Sequence, residues 1–268
     1  MILREIKKSF GRFFAIFAII AIGVGFFSGV RITTPVLVNT VDGFYKKTGF
    51  FDLKLLSTLG WEDEDVDKVK KLDGVKEAEG SVTYDIIVKR GEDSEDVFKV
   101  HSITKGINGL IVRKGRLPEK DDEIFLESHY SGTYDVGDEF ILAAENEKED
   151  KDHFKYDKYK ITGFGDSSLY INFERGTSSL GNGTVSGFAY ILPGGFEEDI
   201  YTEVYVKLEG DEKLFSDAYD DKIDALMDKW EDDTKKIATK RYERIYKEAD
   251  EKLSDAKEEF EEKKADGQ

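Results

Sequence analysis

Cysteine is absent from all 268 residues. That excludes a disulfide framework, a thiolate metal site and a cysteine nucleophile. An extracytoplasmic domain without disulfides is ordinary in single-membrane bacteria, and it argues mildly against a eukaryotic secreted protein. Histidine is nearly as scarce. His101, His129 and His153 stand alone, none with a second ligand two to four residues on. Each reads as a solvated or hydrogen-bonded surface residue. Bases are outnumbered, 40 Lys and Arg against 57 Asp and Glu, for a net charge of -17. Such a surface excludes nucleic acid as a partner, because phosphate contacts need clustered cations. Neither a G-x-x-x-x-G-K-[ST] phosphate loop nor a G-x-S-x-G elbow occurs. The chain reads as non-enzymatic, with no catalytic residue, no metal ligand and no cofactor of its own.

What is present begins with Phe13 to Val30, FFAIFAIIAIGVGFFSGV, a run without a single charge. As a helix it measures about 27 Å, enough to cross a hydrocarbon core. Arg4, Lys7, Lys8 and Arg12 precede it, opposed only by Glu5, and acids dominate the chain beyond it. Positive flanks stay inside, so the N-terminus is expected in the cytoplasm and the large polar part outside. A cleaved signal peptide is the competing reading. The apolar core is too long for one, and no A-x-A site comes after it. Gly25 and Gly29 form a small-xxx-small pair that suits close packing against another membrane helix. Before the span, Ile2, Leu3, Ile6 and Phe10 share one helical face, as in a short basic amphipathic helix at the membrane surface; an ordinary positive flank explains them equally well.

Beyond the membrane, the pattern predicts a strand at Phe51–Leu59 and a short helix over the WEDEDVDKVKKLDGV run, with Val66, Val69 and Leu72 inward and Gly74 at its end. Strands at Val75–Lys89 and Val97–Thr104 complete a β-α-β-β unit. Further strands are expected at Glu123–Glu127, Tyr134–Leu142, Tyr159–Asp166, Gly187–Pro193 and Thr202–Gly210. Glu145 to Asp152 reads as a flexible acidic insert, and Glu174 to Gly187 as a Gly/Ser/Thr loop. From Glu212 the period changes. Tyr219, Ile223, Leu226, Trp230 and Ile237, then Tyr242, Ile245, Ala249, Leu253, Ala256 and Phe260, recur at helical spacing with a shift between the two sets. This reads as one long helix whose seam has no partner, the first arm of a coiled coil cut at a fragment boundary.

Three look-alikes fail. Asp63, Asp65 and Asp67 start like a calcium loop, but Lys68 and Gly74 stand where the turn glycine and the last acid belong. Gly181, Gly183 and Gly187 are one residue too widely spaced for a dinucleotide fingerprint. Asn182-Gly183-Thr184 is a glycosylation sequon only in a eukaryotic secretory route. Tyr130, Tyr134, Tyr170 and Phe173 suit an outer binding surface, but strand packing explains them more simply.

Behind the apolar run and Asp52-Leu53 come Gly115-Arg116-Leu117-Pro118 with Glu123-Ile124, then Val136-Gly137-Asp138, then Ile161-Thr162-Gly163-Phe164. This order of parts resembles the start of the MacB/FtsX-like permeases of ABC transporters. The resemblance covers residues 1 to 245. It implies an α+β fold: a cytoplasmic helix at 1–12, a membrane helix at 13–30, a MacB-like extracytoplasmic core domain at 31–210 and a long helix at 211–268. It also implies a separate ATPase chain that binds ATP, further membrane helices of the full permease as partners, a possible homodimer, and outer domains moved by mechanotransmission. A stand-alone, single-pass protein that binds an extracellular ligand or partner is the alternative.

Overall fold

The computed structural model describes residues 10–90 and 94–266. Ile2, Leu3 and Ile6, the apolar face expected at the membrane surface, lie outside them. Phe10 opens the first helix and is exposed.

Helix α1 runs from Phe10 to Thr48, 39 residues or about 58 Å. The apolar run is its first part, and none of its most apolar window is buried. The helix does not stop at Val30. It continues through Arg31 and Pro35, and the Thr33 and Thr40 hydroxyls donate back to the carbonyls of Gly29 and Val36 at 2.8 Å. Back-bonded threonines present little free polarity, so a stretch that looks loop-like in composition stays helical.

Two sheets make up the rest of the domain. Strand β1 (Leu53–Trp61), helix α2 (Asp63–Val69) and β2 (Val75–Ser81) form a split β-α-β, because β10 (Tyr201–Leu208) lies between β1 and β2, antiparallel to both. The second sheet has the order β3 (Thr83–Lys89), β4 (Glu95–Ser102), β9 (Gly187–Ile191), β6 (Glu123–Glu127), β8 (Lys158–Ser167), β5 (Leu110–Gly115), with β7 (Glu139–Ile141) also on β8. Its central strands β6 and β9 are buried at every residue. Phe98, Phe140, Phe164, Tyr159, Ile161 and Ile191 fill the core on one face. Phe125, Phe188 and Tyr190 make a smaller core with Leu110, Leu117 and Tyr170.

Several expectations are corrected. Val75 to Lys89 is two strands in two different sheets, and the chain crosses between them at Val82. The strand expected at Tyr134–Leu142 forms a ladder only over Glu139–Ile141, with a single bridge from Leu142 to Val88, and β5 has no counterpart among the expected strands. The acidic stretch at Glu145–Asp152 is structured. Asn146 is buried, its side chain accepts from Ile87 N–H at 2.9 Å and donates to Ile87 C=O at 2.8 Å, and Lys148–Lys151 forms a short helix, α3.

Helix α4 runs without a break from Asp217 to Asp266. Its first half is not unpartnered. Leu226, Trp230 and Ile237 join Trp61, Val66, Val69, Val204, Val206 and Leu208 in the core of the three-stranded sheet. The indole of Trp230 donates to Asp73 C=O at 3.0 Å. Arg244 closes the contact on Asp65, which is fully buried, at 2.7 Å. Tyr242, Tyr246 and Leu253 are all more than half exposed. The shift in the apolar stripe after Ile237 therefore marks where apolar packing ends, and Arg241 and Arg244 still bond to Glu62 and Asp65.

Candidate functional site: the joint at the end of α1

The end of α1 is built by local chemistry. Lys46 and Lys47 sit in its last turn, where cations suit the negative end of the helix dipole. Gly49 takes φ +62, Gly49 N–H donates to Lys46 C=O at 3.5 Å and Phe50 N–H to Tyr45 C=O at 2.9 Å. This is a Schellman cap, with its customary apolar contact supplied by the Tyr45 and Phe50 rings stacked at 3.9 Å. A Cβ on Gly49 would also lie 2.7 Å from the carbonyl oxygen of Gly106.

Three bodies meet at this cap. The seven-stranded sheet reaches it through the loop between β4 and β5. Gly109 N–H donates to Thr48 C=O at 2.6 Å, Asn108 N–H to Gly49 C=O at 3.1 Å, and the Asn108 side-chain oxygen accepts from Phe51 N–H at 3.2 Å. Asn108 is buried with φ 57, in the left-handed region. The three-stranded sheet reaches it by an aromatic ladder, Phe50 to Phe51 at 4.5 Å and Phe51 to Tyr205 at 5.0 Å. Asp52 N–H donates to Val206 C=O at 2.8 Å.

The Asp52 carboxylate is the hub. It accepts from Leu208 N–H at 2.8 Å, from Lys207 at 3.0 Å, and from the hydroxyl of Tyr219 in α4 at 3.0 Å. Burial, with Asp52 beside it, pushes the Tyr219 phenol well above its usual range, so it stays a donor. The turn before α4 is tied to α1 as well, Leu214 N–H donating to Asp42 at 3.3 Å. A cavity of about 300 Å³ remains between these parts, lined among others by Tyr45, Phe51, Lys76, Glu77 and Lys222. Burial, with Glu79 nearby, raises the Glu77 carboxyl.

A second polar layer joins the two sheets. Glu203 on β10 accepts from Thr83 on β3 at 2.8 Å and pairs with Lys54 on β1 at 3.1 Å. Its carboxyl is pushed up by burial, yet Tyr205, His101, Lys54 and Thr83 outweigh that and hold it below the usual range. His101 is buried between Thr83 at 2.9 Å and the Tyr170 hydroxyl at 2.5 Å, contrary to the surface position expected for it. Burial pushes its imidazole down to about 4. His153 stacks on Tyr84 at 3.7 Å and pairs with Glu198; His129 is exposed. Among the described residues no group of three or more His, Cys, Asp or Glu could hold a metal ion.

The sequence motifs converge on one structural knot around β8. Arg116 grips Glu123 with two bonds of 2.6 and 2.7 Å, and with two backbone N–H groups holds that carboxyl down to about 2. A Cβ on Gly163 would lie 2.5 Å from Arg116 C=O. Gly137 N–H donates to Ile161 C=O at 2.8 Å, and Ile161 N–H to Asp138 C=O at 2.9 Å. These residues brace the β5–β8–β6 and β7–β8 pairings. Of the aromatics considered for an outer surface, Tyr130 is buried and Tyr134 packs on the core; Tyr170 stacks on Phe188 at 4.4 Å, and Phe173 is 99% exposed. Gly25 and Gly29 face open space on α1. The Asp52 hub could not be found by local pattern, since its partners lie more than 150 residues away.

No family model matches the chain, and no curated protein is similar to it in sequence at a significant level. Among solved structures, the chain is similar to the extracellular domain of a noncanonic ABC-type transporter, YknZ, from Gram-positive bacteria. The identity is 14%, the TM-score 0.37, and the match covers 57% of this chain and 76% of that one. It is also similar to the periplasmic region of MacB from Actinobacillus actinomycetemcomitans, at 11% identity and a TM-score of 0.35, over 65% of this chain and 73% of that one. At these TM-scores the likeness carries no functional argument.

Proposed function

We propose that this chain belongs to an ABC transporter permease of the MacB/FtsX type, whose extracytoplasmic domain is moved by a separate ATPase chain. The observation that carries this reading is the joint. One uninterrupted helix leads from the apolar run to a cap that is bonded to both sheets and to α4. A tilt or shift of α1 is thereby delivered to the whole outer domain, which is what mechanotransmission requires. The motif order from Gly115 to Phe164 supports the same family. ATP is bound by the partner chain, the N-terminus is cytoplasmic, and further membrane helices pack near Gly25 and Gly29. The work done is export, extraction or signalling, without catalysis by this chain.

The test begins with orientation. The chain has no native thiol, so a single cysteine at Lys8→Cys should resist an impermeant reagent on intact cells, while Asn182→Cys should label. Purification of the chain from its native membranes should then bring down an ATPase with a phosphate loop. Reversed labelling sinks the topology. A chain that purifies alone is a single-pass binding protein instead.

A further inference from the structure

A groove of about 360 Å³ runs between β1 and α4. It is lined by Leu55 and Leu56, which lie on opposite faces of β1, so it runs along the edge of the strand. Among the described residues β1 is the outer strand of its sheet, paired with β10 alone. An edge of this kind presents unpaired backbone groups, and proteins usually blunt it with charges, proline or a cover. Here the edge carries Leu56, 69% exposed, and Leu59, 37% exposed.

Two donors at this groove lack acceptors. Trp61 and Arg241 both line it and are each more than nine-tenths buried. The indole N–H of Trp61 and the Nε–H of Arg241 have no hydrogen-bond partner among the described residues. A buried donor left unpaired is costly. The charge at the rim has one sign. Lys54, Lys235 and Arg241 line the groove and, among the described residues, no acid does, in a chain where acids outnumber bases by 57 to 40. Each of these cations already has one carboxylate behind it, Glu203, Glu231 and Glu62 respectively. A lysine ammonium carries three N–H groups and a guanidinium five, so donors remain for a ligand.

We propose that this groove binds an extended acidic peptide, which adds to β1 as a further strand. The unpaired strand edge supplies main-chain hydrogen bonds, and the apolar wall of Leu55, Leu56 and Trp61 takes alternate side chains. The cationic lining selects carboxylates. The proposal does not depend on the permease reading.

The experiment uses the full chain in detergent, labelled at Ser57→Cys with an environment-sensitive dye. The probe is a capped heptapeptide of alternating glutamate and valine, with a lysine-for-glutamate peptide as the comparison. The acidic peptide should bind saturably and at least about tenfold tighter than the basic one. Leu56→Asp and Lys235→Glu should each weaken it by about tenfold, with no change in melting temperature because both side chains are exposed. Equal binding of the two peptides, or binding indifferent to both substitutions, overturns the proposal. So does efficient Ser57→Cys to Ser57→Cys cross-linking that the acidic peptide fails to block, since it would make the occupant a second copy.

Discussion

The two sheets differ in what they need to be complete. The seven-stranded sheet builds its core from aromatic and branched residues of its own strands and loops, with Tyr201 of β10 packed against it from the other sheet. The three-stranded sheet does not. Eleven buried residues form its core, and three of them, Leu226, Trp230 and Ile237, come from α4. α1 is bonded to β10 through Asp52 and to the larger sheet through one short loop. One sheet is therefore a self-sufficient body, and the other a coupling piece completed by the helices attached to it.

The largest test of that contrast is Trp230→Ala. Emptying so large a buried site costs about 3–5 kcal/mol. Hydrogen exchange should accelerate in β1, α2, β2 and β10, while β4, β6 and β9 keep their protection. Simultaneous loss of both sheets would erase the distinction. The layer between the sheets should respond to acid. His101 titrates at 6.5 when unfolded and at about 4 in the fold. Its contribution to stability is thus intact above pH 6.5 and is lost as pH falls towards 4; the difference is worth about 3 kcal/mol. Urea midpoints should fall across that window, and His101→Gln should flatten the fall, with the depressed carboxyls of Glu203, Glu123, Asp65 and Asp166 contributing at its acid end. A parallel decline in the variant would assign the acid response elsewhere. The smallest effect belongs to the free end of α4. Tyr242 and Leu253 are more than half exposed and join no core among the described residues, so Tyr242→Ser and Leu253→Ser should change stability by less than about 0.5 kcal/mol, read from the same urea curves.

How far the sequence reveals this varies by element. The charge-free run from Phe13 is legible because composition alone defines it, but Arg31, Thr33, Thr34 and Pro35 conceal that the helix goes on to Thr48. The alternation in Thr83–Lys89 shows a strand. That Val75–Ser81 belongs to a different sheet is hidden, since the two are one residue apart and their partners are set by long-range pairing. β5 is hard to see because Arg113 and Lys114 break its apolar pattern. The period of α4 is plain, yet period says which face is apolar and nothing about what covers it. Only the structure shows β1, α2 and β10 doing so as far as Ile237. The joint is the least legible part. Asp52 reads as the head of a strand, and its four links, to Val206, Lys207, Leu208 and Tyr219, come from β10 and α4.

The central claim is that α1 and the coupling sheet move as one piece. Spin labels at Asn39→Cys on α1 and Lys71→Cys beside α2, the only thiols in the chain, measure it directly as a distance distribution. The account predicts one narrow peak, the same in detergent and in bilayers. A broad or split distribution would mean that α1 swivels at Gly49, and a helix that swivels there cannot drive the domain.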